Sequence, residues 1–223
     1  VLVFLPFLYS SLFGFLGIVL FAILVGGGAT VIRASIMASL LVLARTLHRP
    51  YEAHRALLLA AFLMIAVNPR ILPYDLSFQL SFLATLGIIL AVPFAEKIFY
   101  FIPKKLGLRE IVSVTFSAQL FVLPWIMYTI GDFSIISFVA NVLVLPSIPF
   151  AMLMSFIAGV LPVSLISLPA YISLEYALTV AEKLSQVPFA KINVPSFSLC
   201  LISFIYALLL LGFFFFIRQV LAN

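Results

Sequence analysis

The sequence predicts an all-α protein, a polytopic transmembrane helical bundle of about seven or eight segments, some of them broken or re-entrant. Three observations predict it. Of 223 residues, 65% are hydrophobic and 9% charged, and the mean hydropathy of +1.34 lies far outside soluble domains, which are roughly 45–50% apolar. Apolar runs repeatedly reach the ~20 residues that a hydrocarbon core requires. Prolines, glycines and isolated polar residues cut into several of these runs, and each cut leaves backbone groups that must find partners inside the membrane.

The runs fall at about 2–25, 29–47, 71–93, 110–130, 164–185 and 197–217, with a short one at 54–67 and a long one at 133–160. The first ends at Gly26-Gly27-Gly28, where the chain can turn sharply. The second carries Arg33 among the small residues Ala34, Ser35, Ala38 and Ser39 and stops at Arg45, His48, Arg49 and Pro50. Residues 54–67 rise only ~21 Å as a helix, short of a ~30 Å core, so a re-entrant or packed segment competes with a span.

Asn68 to Thr85 gathers two prolines, Arg70, Asp75 and Gln79 between apolar stretches, and its helix is expected to run from Leu72 to Pro93. In that register Asp75 and Gln79 share one face, and Ser77, Ser81 and Thr85 another. Residues 94–109 alternate Lys97, Lys104, Lys105 and Arg109 with Phe99, Tyr100 and Phe101, an interfacial pattern. The next run contains Ser113, Ser117, Gln119 and Pro124, and the long one contains Asn141, Pro146 and Pro149, which favour a broken helix. Counting charge places the basic loops 45–55 and 94–109 and Arg218 on the cytoplasmic side, with the loops around Asp132 and at 186–196, which holds Lys191, opposite.

Composition and motif spacing argue against chemistry. His48, Glu52 and His54 lie in a basic loop, and the histidines are six apart rather than at the i, i+4 spacing of a helical zinc pair, so no metal and no cofactor is expected. There is no G-x-S-x-G and no intramembrane acid pair, so no catalytic residue and no enzyme is expected. Gly26-Gly27-Gly28-Ala29-Thr30 lacks the G-K-[ST] ending of a P-loop; a helix break is the plain reading, and phosphate capture at the following helix start with Thr30 and Arg33 is the functional one. Phe213–Phe216 reads as lipid-facing bulk, and the single Cys200 forms no internal disulfide. Val1 opens inside a hydrophobic run with no basic flank, as expected of one transmembrane domain, 1–223, cut from a longer protein.

The polar set within the runs is the informative one: Arg33, Asp75, Gln79, Gln119 and Asn141. Such groups face a bundle interior or a water-filled path rather than lipid. Arg33 and Asp75 either pair to lock two helices or serve separately. Asn141 with Ser134 and Ser137 makes a helical stripe that is equally ordinary interhelical glue.

The ordered motifs G-x-x-x-x-x-R-A-x-x-M from Gly27 to Met37, then Arg49, then N-P-x-x-L-x-Y-D-L-S-F-Q-L-S-F-x-A-T from Asn68 to Thr85, resemble the competence domain of ComEC-type DNA-uptake channels. Gln119 and Pro124, Gly131-Asp132-Phe133-Ser134, Asn141 and Pro146 continue the likeness over about residues 20–160. The resemblance implies a bacterial inner (plasma) membrane channel that passes single-stranded DNA into the cytoplasm during natural transformation. It implies as partners single-stranded DNA, membrane lipid, soluble flanking domains of the same protein (OB-like and metallo-β-lactamase-like), other competence proteins, and further copies of the chain. On this reading Arg33, Arg70, Gln79, Gln119 and Asn141 contact the DNA path, while Asp75, Ser77 and Ser81 lock or cap helices. A secondary transporter of a small or lipidic substrate and a structural membrane scaffold are the competing readings.

Overall fold

In the computed structural model the described residues are 4–103, 107–134, 136–160, 164–186, 192–193 and 198–222. They form two compact units, residues 1–89 and 90–223. Lys104, Lys105 and Lys191 lie outside the described residues, as do the side chains of Phe213–Phe216 and Arg218.

The first unit opens with α1 (Phe4–Leu24) and α2 (Ala29–Thr46). Gly26 and Gly27 hold φ of +89° and +63°, a left-handed backbone that side chains with a Cβ rarely adopt. Their amides bond to Ile23 O at 3.2 Å and Ala22 O at 3.0 Å, so the first helix closes on its own last turn. At the far end Thr46 Oγ1 donates to Ser11 Oγ at 2.9 Å, which fixes the two helices as an antiparallel hairpin.

The third helix, α3 (Ala53–Val67), buries Ala56, Leu57, Ala60 and Met64 on one stripe and packs against α2. At 15 residues it spans only ~22 Å, too short to cross a bilayer unaided. Asn68 ends it; the single turn α4 (Ile71–Tyr74) follows, and α5 (Leu76–Ile98) begins after Asp75. The predicted helix from Leu72 to Pro93 is therefore interrupted at Asp75. It also runs through Pro93 rather than stopping there, because a proline breaks one backbone bond while the surrounding apolar residues continue to favour burial.

The second unit contains the end of α5 and α6 (Leu108–Thr129), α7 (Ile136–Val144), α8 (Ile148–Val160), α9 (Ser164–Ser185) and α10 (Leu199–Ala222). An edge contact of Phe99 with Phe116 at 5.4 Å and a hydrogen bond from Arg109 Nη2 to Glu96 O join α5 to α6. As expected of the long run at 133–160, α7 and α8 form a bent pair, 50° apart. Buried Ala151, Ala170 and Ser173 let α8 and α9 approach closely. Two-residue strands β1 (Asp132–Phe133) and β2 (Ile192–Asn193) pair antiparallel, Asp132 opposite Asn193, and bring together two loops that charge counting placed on one side.

The fold is thus an all-α membrane bundle with one minimal strand pair. By length and composition three of the described helices, α2, α5 and α6, can cross a membrane, or four if the bent pair α7–α8 counts as one span. These spans do not confirm the expected count of seven or eight segments, which included broken and re-entrant pieces. The described apolar stretches at Ser11–Leu24, Ala53–Val67 and Cys200–Gly212 are shorter than a full span.

Candidate functional site

Arg33 lies in the first half of α2, an apolar span in which it is the only ionisable residue before Arg45. It is half-buried. Its Nε donates to Ser81 Oγ at 2.6 Å, and its Nη1 donates to Thr85 Oγ1 and, at 3.7 Å, to Met37 Sδ one turn along. Ser81 and Thr85 are one helical turn apart on α5, and Thr85 Oγ1 in turn donates to Ser81 O at 2.9 Å, which leaves its lone pairs directed at the guanidinium. The charge is held by neutral acceptors alone. Among the described residues no carboxylate pairs with it.

Asp75 does not neutralise Arg33, contrary to one of the two expectations for it. Its backbone is extended, at φ −99° and ψ 102°, and its Oδ1 accepts the amide N–H of Phe78 at 3.0 Å. This is an N-cap at the start of α5, which satisfies one of the four amides that a helix start leaves unpaired. Because Asp75 stands before the helix, it does not share a helical face with Gln79. Gln79 Nε2 reaches back to Leu72 O at 2.8 Å and Pro73 O at 3.2 Å. The two side chains thus close the break between α4 and α5 from both directions.

The other sequence candidates separate. Arg70 is exposed at the turn before α4, where its backbone amide bonds to Asn68 Oδ1 at 3.2 Å. Ser77 is exposed, whereas Ser81 is buried against Arg33 and links α5 to α2. In the second unit Gln119 Nε2 donates to Ser137 Oγ at 2.9 Å, tying α6 to α7. Ser134 sits ahead of α7 and caps it through Ser137 N at 3.2 Å, so it is not part of a helical stripe with Asn141. Asn141 is exposed on α7. In the loop before α3, Glu52 is engaged by Arg55 at 2.5 Å and His54 at 3.5 Å.

Three polar features lie outside the site residues expected from the sequence. Thr85 completes the seat of Arg33, and its spacing from Ser81 was the available signal. Ser113 and Ser117 are fully buried on one face of α6, and their hydroxyls have no partner among the described residues. Tyr206 of α10 donates to Phe121 O at 2.7 Å and bonds to the backbone of Trp125, at the point where Pro124 interrupts α6. Pro124 removes the amide that would serve Leu120 O, one residue before the carbonyl Tyr206 takes, so it marked the turn but not the partner.

A protein family described as "Competence protein" matches residues 1–219. The chain is also similar to "ComE operon protein 3" of Bacillus subtilis (strain 168), with 33% identity over 146 residues, which is 66% of this chain and 18% of that protein. The matched region thus spans under a fifth of that relative's length. No solved structure matches. The family match runs over nearly the whole length of this membrane bundle: the chain belongs to the competence protein family.

Proposed function

We propose that this chain is the translocating membrane part of a DNA-uptake channel in the bacterial inner membrane, crossing it several times and passing single-stranded DNA to the cytoplasm without chemistry of its own. The observation that carries the reading is Arg33, a guanidinium in an apolar span that is fixed by neutral groups and has no carboxylate partner among the described residues. An arginine within a span costs up to about 2.5–3.5 kcal/mol on insertion scales, the value at the span's centre. A counter-charge normally offsets such a cost; here the arrangement suits an anion that arrives and departs. A single strand brings one negative charge per nucleotide, and its passage needs fixed donors and positive charge without a deep trap.

In the first unit Arg70 at the exposed turn would receive the strand, with Gln79 as a neutral donor; in the second unit the candidate donors are Gln119 and Asn141. Gln79 and Gln119 each spend amide hydrogens on protein acceptors, so Arg33 is the strongest of the set. Membership in a competence family supports the reading, as do flanking domains and other competence proteins as partners.

The test is Arg33→Ala in the full-length protein. Transformation is expected to fall by at least about a hundredfold, given the several kcal/mol that separate a charged contact from none in a low-dielectric site, while membrane insertion measured by fractionation stays normal. Ordinary transformation by the variant would remove Arg33 from the path. A transporter of a small substrate is the second reading, favoured by the bent pair α7–α8, since broken helices also build midplane substrate sites. Uptake of a small solute that is lost in the same variant, with DNA uptake retained, would select it.

A further inference from the structure

The donors of Arg33 can be counted. Of its five N–H bonds, Nε–H goes to Ser81 Oγ and the two on Nη1 face Thr85 Oγ1 and Met37 Sδ. Both N–H bonds of Nη2 remain without a partner among the described residues. Fork-like recognition of a phosphate requires two parallel N–H bonds from one edge of the guanidinium. One such edge joins Nε to Nη2, and Ser81 occupies its Nε half. The other joins Nη1 to Nη2, and Thr85 with Met37 takes up its Nη1 half.

We propose that Ser81 and Thr85 are positioning residues that restrict Arg33 to single-point contact, through Nη2, with one phosphate oxygen at a time. The proposal rests on the channel reading for the source of that phosphate, a passing DNA strand. A bidentate clamp would hold each phosphate and slow the next step, whereas conduction needs sites that are favourable to enter and easy to leave. Two hydroxyls one turn apart on α5 achieve this by satisfying the rest of the guanidinium from within the protein. The unusual consequence is that removing a hydroxyl should tighten binding, because it releases an edge for the ligand.

The experiment uses the full-length protein in lipid nanodiscs and a fluorescent twelve-nucleotide single strand, titrated over a range of salt. Arg33→Gln is expected to lower the slope of log K against log salt by about 0.7, the value for one phosphate contact on a single strand. Ser81→Ala and Thr85→Val are expected to bind on the order of tenfold tighter, mainly through slower dissociation. Thr85→Ser restores the hydroxyl and should return the dissociation rate of Thr85→Val to the wild-type value. Weaker or unchanged binding by both Ser81→Ala and Thr85→Val overturns the proposal, and so does an unchanged salt slope in Arg33→Gln. If the wild-type protein binds the strand with no salt dependence, the DNA reading fails instead. Single-point contact is then decided with inorganic phosphate as probe: tighter phosphate binding by Ser81→Ala supports it, and equal affinity overturns it.

Discussion

Two interruptions of helical backbone, one in each unit, are repaired in opposite ways. At the α4–α5 junction the carbonyls of Leu72 and Pro73 are met by Gln79, and the amide of Phe78 by Asp75, so every repairing group lies within seven residues of its partner. At Pro124 the repair comes from Tyr206, 85 residues away on α10. Unpaired backbone inside hydrocarbon is costly wherever it occurs, but the source of the partner decides what else the bond does. The local repair makes the junction self-sufficient, able to keep its shape whatever packs beside it. The distant repair makes the proline-containing turn of α6 and the seating of α10 one event.

The contrast can be tested by removing each partner. The largest effect is expected from Tyr206→Phe, which strips two hydrogen bonds from the turn around Pro124 and should cost about 1–3 kcal/mol, read as a lower midpoint in denaturant titration of the detergent-solubilised protein. Adding Pro124→Ala supplies an amide for Leu120 O and removes the ring that keeps Trp125 N–H from Phe121 O, so most of that loss should disappear in the double variant; additive losses would separate the tyrosine from the proline turn. Asp75→Ala comes next, at about 1 kcal/mol for a lost helix cap, and Asp75→Asn should retain most of the stability because an amide oxygen also caps. A loss in Asn as large as in Ala would mean that the charge, not the cap, matters there. Gln79→Leu should be mildest, near ~0.6 kcal/mol per membrane hydrogen bond, and faster amide exchange confined to residues 71–76 is its signature. Spread of that exchange to other helices would refute the self-sufficiency of the junction.

What could be seen in the sequence divides along the same line. Gly26-Gly27-Gly28, the stop at Asn68-Pro69 and the bent run around Pro146 were legible because their cause is local: a φ value, a missing amide, a ring clash. Arg33 was legible as an expensive charge in an apolar span. Its partners were not, since charge alone favours Asp75 over Ser81 and Thr85, which lie 48 and 52 residues on and are chosen by packing. Asp75 was expected either to hold an arginine or to cap the helix, and the cap is what forms, although its place just ahead of the helix was not foreseen. Extending the helix back through Pro73 placed the aspartate inside it, although an acidic residue just ahead of an apolar run is also the signature of a cap. The buried hydroxyls of Ser113 and Ser117 gave no warning at all, because an apolar helix with two serines reads the same whether they face lipid or protein.

The glycine turn has a consequence for how the protein is made. Because α1 and α2 close on each other through Gly26, Gly27 and the Thr46–Ser11 bond, they can leave the ribosome and enter the bilayer as a finished hairpin. Arg33 enters with them, but its acceptor Ser81 lies 48 residues downstream. At roughly 5–20 residues per second that is a delay of roughly 2–10 s. During those seconds the guanidinium is a charge in search of a seat, kept near water or inside the insertion machinery until α5 arrives. The order of synthesis therefore makes the α2–α5 contact a late assembly step, and a pause in translation between residues 46 and 81 would lengthen the most exposed moment in the life of this membrane domain.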